Sequence, residues 1–408
     1  MWHVRTVITQ NVARYPPGEF KQHQATRDSH ICYKSNRMRV LHITGDAGVG
    51  GVETFLLTLQ AYQKQRSECP VRHEFAFTAT GPLIPELRQS GATVYEVGSV
   101  LYRKPVELMR TRRRLRNVLA GQPYSVVILH QYPQMVAGLA DVCRDMGCKT
   151  IRWYHNYTDP VCWVEKLARF RGVDWSVFVS AYLRDQIGQS NSLVIHNPVG
   201  TGAPINSQQR MRVRELLDTD NNVTVVTSVS RMSPTKGHRK LLEALDLITK
   251  HEWVCWIVGG PQTEDQATYY EGLKEFVVDK GLHGRVRFLG LRRDVPDLLA
   301  ASDLFCHPSL EPEAFGISFV EAMQAGLPII ATKSGAAQEI VGEGSAIFLE
   351  DFCDFSLRDA LETLISNRQL RQTMALNATR RGEMFRPDRI VPELDSTLQR
   401  LAQSTGRE

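Results

Sequence analysis

No run of this 408-residue chain approaches the about 18 unbroken apolar residues that a membrane-spanning helix needs. Its eight cysteines form no Cys-x-x-Cys pair, and Cys143 and Cys148 are the nearest two. The common zinc and redox spacings are therefore missing, and the pattern reads as reduced thiols of a cytoplasmic protein. Net charge is small, at +5. Residues 1–37 hold Arg5, Arg14, Lys21, Arg27, Lys34 and Arg37 against Glu19 and Asp28, which is +4 of that total. A nearly balanced remainder gives no electrostatic footprint for nucleic acid. Residues 1–37 also lack amphipathic periodicity and an apolar segment of signal-peptide type.

Between residue 39 and about residue 380, strand and helix patterns alternate almost without a break, the signature of βα units on parallel sheets. Strands are expected near 39–44, 73–78, 93–97, 125–130, 149–153 and 175–179, with the segment 193–199 closing a first series. A second series begins near 223–229 and continues at 253–258, 285–289, 303–307, 328–331 and 346–349. The polar, Gly- and Pro-marked stretch 200–210 lies between them as a linker would. The length also exceeds what one core usually organises. The division is therefore an N-terminal extension (1–37), a first Rossmann-like domain (38–199), a linker (200–210), a second Rossmann-like domain (211–386) and a final amphipathic helix within 387–408.

The densest chemistry lies in Glu313-Ala-Phe-Gly-Ile-Ser-Phe-Val-Glu321, two carboxylates eight positions apart around a Phe-Gly pair. The preceding strand and following helix put this motif at the carboxyl edge of a parallel sheet, where open α/β folds bind ligands. Glu313 is expected in the loop and Glu321 in the first turn of the helix, leaving the intervening amides to meet an anion. Ser318-x-x-Glu321 also has capping-box spacing, the purely structural alternative. On the same sheet edge, Arg231 and Lys236 sit in a strand-to-helix loop, Val229-Ser-Arg-Met-Ser-Pro-Thr-Lys-Gly237, and two cations so spaced can converge on a phosphate. Gly50 and Gly51 open the first helix after a Gly-rich loop that is neither G-x-G-x-x-G nor a P-loop. His130 and His155 each end or follow a strand of the first domain.

The run from Pro308 to Val341 resembles the E-x7-E region of retaining glycosyltransferases of the family 4 type, and the likeness extends over about residues 38–400. The fold it implies is GT-B, two doubly wound Rossmann-like domains facing across a cleft, with the last helix crossing back to the first domain. It implies transfer of a sugar from a nucleotide-diphosphate sugar to a glycan or lipid-linked acceptor, with retention, without a metal and without a further cofactor. On that resemblance Arg231 and Lys236 neutralise the diphosphate. Glu313 bonds sugar hydroxyls and favours the cationic sugar, while the amides of Phe315, Gly316 and Ile317 hold sugar and phosphate. Glu321 takes the ribose hydroxyls, Gly50 and Gly51 lie by the donor phosphate or the acceptor, and His155 contacts the sugar, with His130 secondary. Two features depart from the family pattern, Val258-Gly-Gly-Pro261 and Gly335-Ala-Ala-Gln-Glu339, and both bear on which donor is used.

Since members of that family commonly start at the first strand, Met38 is a candidate initiator. The basic run 102–116 is either a solvated helix face or a peripheral contact with the inner face of a membrane. Two rival functions share the fold: a nucleotide-sugar epimerase, and a non-catalytic subunit that only binds donor or partner.

Overall fold

The computed structural model describes residues 37–404 except 46, 49, 67, 201, 203, 204 and 351–353. The basic segment before Arg37 and the candidate initiator question attached to it lie outside the described residues. Seven strands form the first sheet: β1 (Met38–Thr44), β2 (Val71–Phe77), β3 (Val94–Glu96), β4 (Tyr124–His130), β5 (Lys149–Tyr154), β6 (Trp175–Phe178) and β7 (Ser192–Val194). Six form the second: β8 (Thr224–Val229), β9 (Trp253–Val258), β10 (Val286–Gly290), β11 (Leu304–His307), β12 (Ile329–Thr332) and β13 (Ala346–Leu349). The orders are β3-β2-β1-β4-β5-β6-β7 and β10-β9-β8-β11-β12-β13, and every pair within either sheet is parallel.

Parallel strands covered on both faces need continuous apolar runs, and the sequence supplies them. Val126-Val-Ile-Leu129 in β4 and Trp253-Val-Cys-Trp-Ile-Val258 in β9 are almost wholly buried. Strand order reverses between β1 and β4 in the first sheet and between β8 and β11 in the second. A doubly wound sheet leaves a crevice at such a switch point, beyond the carboxyl ends of the strands. Each lobe thus carries its own ligand-facing edge.

One apolar cluster joins the lobes, with Phe178 and Leu183 of the first packed in the same core as Ala314, Phe315 and Phe319 of the second. The helix Pro387–Gln403 belongs to it too, lying on the helix Gly51–Lys64. Ile390, Val391, Leu394, Leu398 and Leu401 form its buried stripe, each burial contributing about 1.5–3 kcal/mol. The chain therefore returns to its first lobe after completing the second.

The stretch 200–210 is not linker throughout. Helix Ser207–Leu216 begins inside it, because Asn206 and Gln209 make a full capping box, each side chain bonding the other's backbone N–H. Arg210 and Arg214 then anchor this helix to the second lobe through Asp303, at 2.7 and 2.6 Å.

Candidate active site

After β8 the chain passes Arg231 and makes a short 3-10 turn, Pro234–Lys236, before the helix His238–Asp246. Gly237 between them has φ +72°, and a Cβ there would lie 1.9 Å from the carbonyl oxygen of Pro308. Only glycine allows the β8 loop to press so closely on the chain leaving β11. Leu310 N donates to Thr235 O at 2.7 Å and ties the same two segments.

That contact delivers Lys236 to Glu313. Lys236 Nζ donates to Glu313 Oε1, and His307 Nε2, from the last residue of β11, lies 2.8 Å from the same oxygen. Burial acts to raise the Glu313 pKa, but the hydrogen bond and charge of His307 and the charge of Lys236 outweigh it and hold the carboxyl well below the usual carboxylate range. Its backbone is pinned as well. Ala336 N donates to Glu313 O at 2.8 Å, and Gly335, at φ +67°, has room for no Cβ: the atom would lie 2.4 Å from Glu313 N and O.

Past Glu313, Gly316 adopts φ +81° and serves as N-cap of the helix Ile317–Gln324. This left-handed residue starts the helix so early that Glu321 falls in its second turn, not the first. The cap makes no side-chain hydrogen bond, so the capping box that Ser318 and Glu321 could have formed does not exist. Glu321 is half-buried, and burial raises its carboxyl to about 7. The amides of Phe315, Gly316 and Ile317 make no backbone hydrogen bond among the described residues.

The first lobe approaches this edge through Gly51 and Tyr157, among other contacts. Gly50 is the extended N-cap of the helix Gly51–Lys64, and a Cβ on Gly51 would lie 3.4 Å from Ile317 Cδ1 across the cleft. His155 follows β5, with its Nε2 at 2.8 Å from His130 Nδ1 and its buried Nδ1 without a partner among the described residues. Burial pushes its pKa down to about 3, so the ring is neutral. Two residues on, Tyr157 is near enough to Glu313 that the carboxylate's charge raises the phenol's pKa, after burial and the Tyr182 hydrogen bond. Across the lobes Gly51 approaches Ile317 and Tyr157 approaches Glu313, while Lys236, His307 and Glu313 form one cluster at the edge of the second lobe. Arg231 is exposed, has no side-chain partner among the described residues, and does not share the Glu313 cluster.

Several residues were not singled out by the sequence reading. His307 is one, and its position at a strand end six residues before Glu313 was the available signal. A clasp between the lobes is the other. Glu339 accepts from Ala181 N at 2.8 Å and Tyr182 N at 3.0 Å, at the start of the helix Ala181–Ile187, and pairs with His196 Nε2 at 3.0 Å. Ser180 Oγ donates to Ala314 O at 2.6 Å beside it. In the sequence the motif containing Glu339 stands out by its Gly335-Ala336 variation and gives no sign of this clasp. A separate cavity of about 360 Å³ at the amino-terminal end of β2, lined by Gln60, Cys69 and His73 among others, carries none of this chemistry.

Comparison with known proteins follows the two lobes. Residues 49–202 match the family model of Glycosyltransferase Family 4, and residues 209–381 that of Glycosyl transferases group 1. The lipopolysaccharide core biosynthesis glycosyltransferase LpsE of Rhizobium meliloti (strain 1021) is 27% identical over 215 residues, 52% of this chain and 59% of LpsE. The lipopolysaccharide glucosyltransferase WaaG of Escherichia coli (strain K12) is 30% identical over 148 residues, 35% of this chain and 37% of WaaG. These matches span less than two thirds of the relatives' own length. In three dimensions, Anabaena Alr3699/HepE in complex with UDP and glucose superposes with a TM-score of 0.77 at 23% identity, over 89% of this chain and 100% of that one. A glycosyltransferase from Rickettsia africae ESF-5 superposes at 0.80 and 18% identity, over 91% and 100%. The chain has the GT-B fold, its first lobe matching the Glycosyltransferase Family 4 model and its second the Glycosyl transferases group 1 model.

Proposed function

We propose that this protein is a retaining glycosyltransferase that moves a sugar from a nucleotide-diphosphate sugar to a glycan or lipid-linked acceptor in the synthesis of a cell-surface polysaccharide or glycoconjugate. The observation that carries the reading is the meeting of Lys236, His307 and Glu313 where β8 and β11 end, beside unbonded helix-start amides. A diphosphate leaving group needs cations and N–H donors, and the sugar it leaves behind needs an anion. Lys236 and Arg231 supply the first with the amides of Phe315 to Ile317. Glu313 supplies the second and bonds sugar hydroxyls.

With donor bound, Lys236 is shared between Glu313 and phosphate, so that the carboxylate gains negative character toward the sugar as the phosphate draws the ammonium. Glu321 takes the ribose hydroxyls. His155 offers its neutral ring to a sugar hydroxyl and shapes the reaction centre without acting as base. The two carboxylates stand at opposite ends of the donor, unlike the flanking pair of a glycosidase. Retention follows from attack on the face the phosphate leaves, with the departing phosphate taking the acceptor proton. Chelation of divalent ions is expected to leave the rate unchanged.

The reading is supported by the UDP- and glucose-bound state of the superposing HepE and by the relatives that act on lipopolysaccharide core. A thermal-shift and hydrolysis screen over UDP-, GDP- and ADP-sugars tests it, with Glu313→Ala alongside. One donor that stabilises the protein and is slowly hydrolysed, with turnover lost in the variant, is the expected result. Binding without turnover would leave a donor-binding subunit; an altered free sugar nucleotide without acceptor would make it an epimerase.

A further inference from the structure

Four histidines, three of them buried and His155 half-buried, form a continuous array through the first lobe. Asp395 Oδ1, on the helix that returns from the second lobe, lies 2.9 Å from His73 Nε2. His73 Nδ1 lies 2.9 Å from His42 Nε2, and His42 Nδ1 lies 2.9 Å from His130 Nε2. His130 Nδ1 lies 2.8 Å from His155 Nε2, and there the array ends, at the Nδ1 of His155, which has no partner among the described residues.

Sheet register explains how the array forms. His73, His42 and His130 lie on β2, β1 and β4, neighbours in the sheet, and His155 follows β5, the next strand. His73 pairs in register with Val40, His42 with Ile128 and His130 with Trp153. Each step therefore crosses one strand and advances two residues, which keeps every ring on the same face of the sheet. Ring centroids are 5.0–5.1 Å apart along it. Phe55 covers His42, His130 and His155, and His42, His73, His130 and Asp395 are all buried.

A neutral imidazole carries one N–H and one bare nitrogen, so each ring in such a series dictates the next. A carboxylate only accepts. With Asp395 ionised and the rings neutral, one arrangement satisfies every bond: His73 donates to Asp395, His42 to His73, His130 to His42, and His155 Nε2–H to His130. His155 Nδ1 is then bare. Burial favours the neutral state, holding His42 and His130 well below the ordinary histidine range, with neighbouring rings adding to the effect.

We propose that Asp395 is a positioning residue that, acting through His73, His42 and His130, locks His155 in the tautomer whose bare Nδ1 accepts a hydrogen bond from the substrate. The acceptance of a sugar hydroxyl rests on the proposed function; the locked tautomer does not. The last helix thereby sets the polarity of the reaction centre from the far end of the array. An extra proton on the His73–Asp395 pair would reverse every bond and present an N–H instead.

The test is nitrogen-15 NMR of the full chain labelled at histidine, without donor, at neutral pH, with His155→Gln to assign the terminal ring. Long-range proton–nitrogen correlations distinguish a protonated from a bare ring nitrogen. The expected result is a single His155 tautomer with Nε2 protonated and Nδ1 bare; a protonated Nδ1 overturns the proposal. In Asp395→Asn, whose side chain can donate as well as accept, His155 is expected to become a tautomer mixture; an unchanged single tautomer refutes control by Asp395. Should that variant fail to fold, the wild-type spectrum still decides. For the donor found by the hydrolysis screen, Asp395→Asn should lower kcat about tenfold, the scale of one mispolarised hydrogen bond, with affinity for the free nucleotide unchanged. A changed tautomer with unchanged kcat would remove the substrate half of the proposal.

Discussion

Replacing Glu313 separates the charge of the Lys236–Glu313–His307 cluster from its hydrogen bonds. The side chains of Lys236, Glu313 and His307 are 14%, 17% and 3% exposed. Removing one partner of a fully buried pair costs about 3–5 kcal/mol. Here both ends of the ion pair keep some water, so Glu313→Ala should cost about 2–3 kcal/mol, leaving Lys236 unpaired and His307 Nε2 without its acceptor. Glu313→Gln keeps an oxygen for both donors and should cost about 1 kcal/mol. For a lobe of this size the alanine variant then melts about 5–10 °C lower. The pH dependence gives the sharper test. The folded Glu313 carboxyl titrates below its unfolded value of about 4.3. Its contribution is therefore complete above that value and disappears as pH falls through the folded pKa. The Tm gap between wild type and Glu313→Gln should be full at pH 7 and shrink below about pH 4. Donor hydrolysis in both variants should fall about 10²–10³-fold. Scanning calorimetry from pH 3 to 8 with a donor-hydrolysis assay reads all of this. A gap that is constant with pH, or a glutamine variant with wild-type turnover, would refute the reasoning.

Glu321 is raised to about 7 by burial, so its ionisation opposes folding: stability should decline as pH rises from about 4.3 to 7 and then level off. Donor affinity should rise over the upper part of that range as the carboxylate forms, and calorimetric titration of Glu321→Gln should show a flat profile. Glu339→Ala removes the acceptor for two amides and His196. The lobes should then separate more readily, seen as a larger radius of gyration in small-angle scattering and a loss of about 2 kcal/mol in stability. Gly335→Ala forces a Cβ against the Glu313 backbone, and activity should fall much further than Tm in parallel assays. On the basic helix Pro105–Gly121, Arg112 is neutralised by Asp141 at 2.8 Å. Arg110 and Arg113, by contrast, stand exposed beside exposed Val106 and Met109. Co-sedimentation with anionic liposomes should occur at low salt, weaken at about 1 M salt and be lost in Arg110→Glu/Arg113→Glu; no sedimentation at low salt returns the helix to a solvated face.

What the sequence discloses and what it conceals divide along a physical line. Apolar runs such as Trp253–Val258 and glycines such as Gly237 state their roles locally, because burial on both faces and a left-handed turn each demand one kind of residue. The alternation of runs then fixes two parallel sheets, and the carboxyl edge of each follows from the fold. Glu313 and Lys236, 77 positions apart, were expected on one edge for that reason, and they are in direct contact. His307 was missed although it is the third member of that contact, since a histidine ending an apolar strand has the same local pattern whether it faces core or cleft. The histidine array is less legible still. His42 and His73 are single polar residues inside otherwise buried strands, and nothing near them in sequence says that β1 lies between β2 and β4. Asp395 sits on an amphipathic helix whose pattern predicts burial for Leu394 and Leu398 but gives no reason to bury a carboxylate between them. Burying it unpaired would cost several kcal/mol, and among the described residues His73 is the side chain that pairs with it. That pairing acts both ways: a chain of neutral imidazoles has no preferred direction until one end meets a group that can only accept.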